Sequence, residues 1–238
     1  LSGHRRCKTM LRQFMASLAL ALCFSVAASA TAIAACGNSP GPGVNWSGCS
    51  KSAKFLTNMN LTAARFDGAN LSRTNLQGSN LSMGQFVKSD LTNTILVAAN
   101  LTGADLQKAF GVRTYFRKAT LQGASLNKAE LTRPDFEAAN LTGATMHGAQ
   151  MARANFAGAN LTDLQAQFAN LSRAVFAGAT LTGANFEGAY LYRARLEDAD
   201  MTGVTNLTAG QLVETCGNGN TLLPDGLPRP SRWPCTDE

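Results

Sequence analysis

A large apolar side chain returns at every fifth residue from Leu56 to Met201, with no insertion or deletion along the way. Of these 30 centre positions, 18 are Leu, 7 are Phe and 3 are Met; Gly111 and Ala166 are the exceptions. Two residues before each centre the side chain is Ala, Ser, Thr or Gly in 26 of 30 cases, with Lys54, Met59, Pro134 and Leu164 departing. The residue immediately before the centre is Asn or Asp in 14 of 30. A helix repeats every 3.6 residues and a flat strand every 2, so neither template produces a period of five.

The charge is distributed less evenly than the apolar residues. The 238-residue chain has 21 Lys+Arg against 15 Asp+Glu, a formal +6, which by itself points to an acidic partner, a membrane or nucleic acid. Four of those bases, Arg5, Arg6, Lys8 and Arg12, precede an apolar run from Phe14 to Ala28 and then small residues. A basic start, a short apolar core and an Ala-x-Ala exit predict a secretory signal peptide, cut after Ala34 or, as a second site, after Ala30. The remainder holds 17 bases against 15 acids, about +2. It keeps four cysteines, Cys36, Cys49, Cys216 and Cys235, an even number that suits disulfides in an exported protein. A rival reading stays open, because Ile33-Ala34-Ala35-Cys36 is similar to a lipobox that would anchor the chain as a lipoprotein at Cys36. With 45% hydrophobic and 15% charged residues, the chain is not a disordered tail.

Stretches such as Ala69-Asn70-Leu71-Ser72 and Ala159-Asn160-Leu161-Thr162 resemble the pentapeptide-repeat family, over nearly the whole exported chain. The flanks, Trp46-Ser47-Gly48-Cys49 before and Cys216-Gly217 with a Pro/Trp-rich tail after, are similar to those of exported bacterial members. The resemblance implies an all-β fold, a right-handed quadrilateral parallel β-helix. Each pentapeptide would form one side of a square and twenty residues one coil, the centre and the small residue two before it pointing inward. Recurrences at twenty agree with this: Phe116, Phe136, Phe156 and Phe176 would stack in one column. So would Lys88, Lys108 and Lys128, and likewise Arg73, Arg113, Arg133, Arg153, Arg173 and Arg193, with Asn93 the gap. Seven and a half coils at a strand spacing of ~4.8 Å make a rod of roughly 36 Å. The expected division is 1–34 signal peptide, 35–50 N-terminal cap, 51–203 solenoid and 204–238 C-terminal cap. With the cysteines at opposite ends of such a rod, the pairing is 36–49 and 216–235. Trp46 falls in register to cover the first coil, and Thr208-Ala209-Gly210-Gln211 has the form of a capping box opening a short helix to about Thr215.

Candidate functional residues are few. Apart from the leader, the one histidine is His147, outward and isolated, and Glu197, Asp198 and Asp200 cluster beside the last coil without a facing partner. No catalytic residue, cofactor, metal site or small-molecule substrate is implied, and the expectation is a protein that is not an enzyme. The six Arg and three Lys would border one face, centred on Leu71, Leu91, Gly111, Leu131, Met151, Leu171 and Leu191, with Asp90 and Glu130 as its acids. Like charges stacked at ~5 Å repel by about 0.8 kcal/mol per pair even in water, which an anionic partner would relieve. Phe110 and Tyr115 add aromatic contacts beside Arg113, Arg117 and Lys118. The expected partner is an anionic envelope component (lipopolysaccharide, phospholipid headgroups) or an acidic protein, in the periplasm or outside the cell; nucleic acid is disfavoured. Three alternatives stay open: an Arg column copied by duplication of a coil, a passive envelope scaffold, and a DNA-mimic topoisomerase modulator like quinolone-resistance members of the family. The last calls for an acidic rod. Oligomeric state is open, with Tyr190 and Tyr192 as exposed contact candidates.

Overall fold

The five-residue side is set by where its five N–H groups find acceptors. In the computed structural model, which describes residues 35–235, the side around Leu61 shows the pattern. Leu61 and Ala63 donate to Asn80 and Ser82 of the following coil (both 2.8 Å), and Arg65 donates to Val44 of the preceding one (2.8 Å). Ala64 closes a tight turn onto the carbonyl of Leu61 (3.0 Å). The fifth N–H, of the residue after the centre, has no main-chain acceptor, and a backbone donor left so is costly. The residue before the centre supplies one: Oδ1 of Asn60 accepts from Thr62 N, and Oδ1 of Asn100 from Thr102 N (3.2 and 3.0 Å). All 14 Asn and Asp residues at this position make that bond. The (Asn/Asp)-Leu-x signature is therefore a hydrogen-bond requirement.

Stacking these sides gives a right-handed quadrilateral β-helix whose coils pair in parallel at a twenty-residue offset, from Asn45↔Arg65 to Asn185↔Thr205, before the C-terminal cap joins the ladder at Arg195↔Cys216 and Asp200↔Leu222. Centres and their small flanking residues fill the interior. The rings of Phe116, Phe136, Phe156 and Phe176 stack with centroids 4.6, 5.0 and 5.1 Å apart. Inward threonine hydroxyls are satisfied within the wall: Thr94 donates to the carbonyl of Leu71 (2.8 Å) and Thr114 to that of Leu91 (2.9 Å), whereas the buried Ser89 hydroxyl has no partner among the described residues.

Two irregular centres have different solutions. At Ala166 the missing volume is restored two residues earlier by Leu164, and both side chains are fully buried. At Gly111 nothing replaces it. A Cβ there would lie 2.8 Å from the carbonyl carbon of Leu91 and 2.9 Å from Thr92 N, so the backbone itself has moved into the space. The tight turn is lost on this side and on the next one along the column, where Pro134 has no N–H to close it. The chain instead runs extended as β1 (Phe110–Val112) and β2 (Glu130–Thr132), paired in parallel with Gly111 opposite Leu131.

Both ends are closed. Trp46 is buried edge-on against Phe66 (5.8 Å), under a loop held by Cys36–Cys49. At the other end α1 (Ala209–Leu212) starts on the expected capping box between Thr208 and Gln211, but it stops three residues before Thr215. The chain has to leave the helix there, because Cys216 rejoins the ladder by donating to Ala194 O (2.8 Å). The Gln211 amide donates to the carbonyls of Phe186 and Ala189 (2.8 and 2.9 Å), which lie at the end of the solenoid. Cys216–Cys235 and the buried Trp233 complete the cover. The predicted signal peptide falls outside the described residues.

Two outcomes follow from this packing. Leu164→Ala removes volume that Ala166 cannot refill, so urea unfolding should show a loss of about 2–5 kcal/mol, and adding Ala166→Leu should restore most of it. The Thr202 hydroxyl, and after it the Thr202 N–H, hold the Asp200 carboxyl below its ordinary 3.8. Its contribution is complete above that value and is lost as pH falls through the lower folded value. Asp200→Asn should therefore reduce the loss of stability between pH 5 and about pH 2.

Candidate anion-binding face

The second residue after each centre takes a positive φ, as the third position of a tight turn does, and keeps it on the Gly111 and Leu131 sides where the closing turn bond is missing. Its side chain leaves the coil at a corner of the square. Arg73, Arg113, Arg133, Arg153, Arg173 and Arg193 occupy this position with φ of 53–60°, and Lys88, Lys108 and Lys128 with 56–58°. All nine are exposed. Coil-to-coil bonds hold them in register, as from Arg113 N to Thr132 O (2.9 Å) and from Lys108 N to Asn127 O (3.1 Å). Neighbours in a column are thus one strand spacing apart, ~4.8 Å. The predicted Arg and Lys columns do stand along the two borders of one side.

The bonding of these arginines separates them from the rest. Every other described arginine is engaged: Arg65 with Asp67, Arg117 with Asp135 and Glu137, Arg195 with Glu197 and Arg232 with Glu214. Arg229 donates to the carbonyls of Asn218, Gly219 and Thr221. Among the described residues no column arginine has a carboxylate partner, and only Arg193 has a ring beside it, its guanidinium 5.6 Å from the centre of Tyr192. The opposite side of the square carries Asn, Thr, Ser and Gln between its corners, with Asp200 as its one charge there, Asp163 at one corner, and Lys118 and Asp198 at the other. Aligned columns of positive charge are thus found on one side of the rod, while the cations elsewhere, such as Lys118, stand singly.

Between the two columns the face is partly apolar. Where the tight turn is lost, the residue after the centre stands out further than elsewhere on this face, and Val112 is 46% exposed beside Phe110 at 45%. These two side chains lie inside a frame of Lys108, Lys128, Arg113 and Arg133. Phe168 continues the Lys column with an exposed ring, against whose face or edge His147 packs at 5.4 Å. Tyr190 and Tyr192, ring planes within 7° of parallel, end the face beside α1.

Other predicted groupings are rearranged. Phe110 and Tyr115 do not share a platform, because a corner at Arg113 separates them onto adjacent sides; Tyr115 pairs with Ile95 one coil before it, as the twenty-residue spacing places it, and with Asp135 one coil after. Arg117 is neutralised by Asp135 and Glu137. The carboxylates near the last coil belong to the cap: Asp198 accepts from the amides of Asn220 and Asn218 (2.7 and 3.1 Å), which lower its pKa, and Glu197 binds Arg195. Among the described residues, no group of three or more His, Cys, Asp or Glu is placed to hold a metal ion. Val112 and Phe168 were not among the predicted residues. The signals that would have found them are Pro134, Gly111 and the register of 168 with the Lys column.

The architecture on which these columns stand is a disulfide-capped β-helical repeat. The chain belongs to the pentapeptide-repeat family: the family model, Pentapeptide repeats (8 copies), matches residues 56–93, 94–133, 135–165 and 169–205. Among solved structures it is similar to HetL, a pentapeptide repeat protein involved in heterocyst differentiation regulation, from the cyanobacterium Nostoc sp. strain PCC 7120. The identity is 25% over 78% of this chain and 91% of that one, with a TM-score of 0.50. A trypsin-treated form of QnrB1, a plasmid-mediated fluoroquinolone resistance protein, matches at 19% identity over 79% and 93%, with a TM-score of 0.37. No curated protein sequence matches the chain.

The fold does not need the arginines. Glycine suits a positive φ better than any side chain, while it loses more freedom on folding, and the two effects nearly offset. Arg133→Gly should therefore shift the free energy of unfolding by less than about 1 kcal/mol, measured by urea titration.

Proposed function

We propose that this protein is an exported, non-enzymatic binding scaffold whose Arg/Lys face docks an anionic component of the cell envelope. The observation that carries the reading is the contrast in bonding among the described residues: off-column arginines are all satisfied within the chain, and column arginines have no carboxylate partner. Nine aligned cations against Asp90 and Glu130 repel one another, and an anionic partner relieves that repulsion. Two disulfides suit an oxidising, extracytoplasmic compartment. A DNA-mimic role calls for the opposite sign of charge along the rod. The test is retention of envelope components by the immobilised protein at 50 mM and 500 mM salt. Capture should fall steeply with salt, and also with Arg113→Glu, Arg133→Glu and Arg153→Glu combined. Equal capture by that triple variant removes the face from the mechanism.

A further inference from the structure

We infer that the partner of this face is the surface of an anionic phospholipid bilayer, with Phe110 and Val112 as the side chains that enter it. The inference rests on the anion-docking reading above and names its occupant. Three observations converge on it. First, the two columns are held in register from coil to coil, which spreads the cations over an area, as a planar partner needs, rather than along one line. Second, it is bounded by cations on both borders, whereas a single linear polyanion needs one column.

Third, the exposed apolar side chains concentrate here. Of the eight large ones among the described residues, Phe110, Val112, Phe168 and Tyr190 lie on this face or its Lys border. Apolar and aromatic groups ringed by Lys and Arg are the composition of surfaces that sit at the headgroup level of a membrane. Phosphates would meet Lys108, Lys128, Arg113 and Arg133 while Phe110 and Val112 reach past them. Gly111 and Pro134 matter because they abolish the turns that elsewhere on the face keep the residue after the centre partly covered. No helix among the described residues is long and apolar enough to cross a membrane, and contact of this kind needs none.

The experiment is flotation of the disulfide-intact protein with phosphatidylcholine vesicles, with and without 30% phosphatidylglycerol, in 0.1 M salt. Binding should require the anionic lipid. Arg113→Gln with Arg133→Gln should weaken partitioning by about 30-fold. Phe110→Ser should weaken it several-fold, while Phe55→Ser, an 84%-exposed residue on another side, should change nothing. Phe110→Trp supplies a direct readout, because the native Trp46 and Trp233 are buried. Its emission should shift to the blue and be quenched by lipids brominated near the headgroup. If Phe110→Ser is neutral, or a 30-base-pair duplex binds as tightly as the anionic vesicles, the bilayer is not the partner and anion docking alone survives. If neither vesicles nor envelope extract are bound, both readings fall.

Discussion

The whole structure depends on one accounting of donors: five N–H groups per side, three bonded to neighbouring coils, one to a turn, one left over. Because the fifth has no main-chain partner, Asn or Asp before the centre becomes the favoured residue, and 14 sides use it. Because the turn requires a positive φ at its third position, that position is pushed to a corner and outward. Because the ladder admits no slip, every column of the sequence becomes a row of neighbours in space. Packing follows the same constraint: volume lost at one inward position must be returned by the next, as Leu164 does for Ala166, or by the backbone, as at Gly111.

Electrostatics then becomes a matter of register. A residue's neighbour in the next coil is twenty positions away, so Arg117 meets Glu137 and is neutralised, while Arg113 meets Arg133 and is not. Nothing in the overall charge of the chain distinguishes these two arginines. Their surroundings differ because one column mixes signs and the other repeats one sign.

Much of this was legible beforehand. The period of five, the recurrences at twenty and the spacing of the cysteines carried the resemblance, the architecture, the columns and the disulfide pairing. The helix at the C-terminal end was legible as a start, through Thr208 and Gln211, but its end was decided by Cys216 returning to the ladder. The candidate site was half legible. The cations stand where twenty-residue arithmetic puts them, but Phe110 and Tyr115, near in sequence and both outward, are parted by a corner.

By itself the sequence determined the repeat, the identity of inward and outward positions, and which residues share a column, since these follow from a period that every side obeys. Only the tertiary structure decided which cations are left without partners and how far the apolar side chains between them stand out. Pairing depends on diagonal reach across coils, as from Arg117 to Asp135. The exposure of Val112 depends on two missing turn bonds in adjacent coils, at Gly111 and Pro134. Both are properties of stacked neighbours, and a chain read one residue at a time does not contain them.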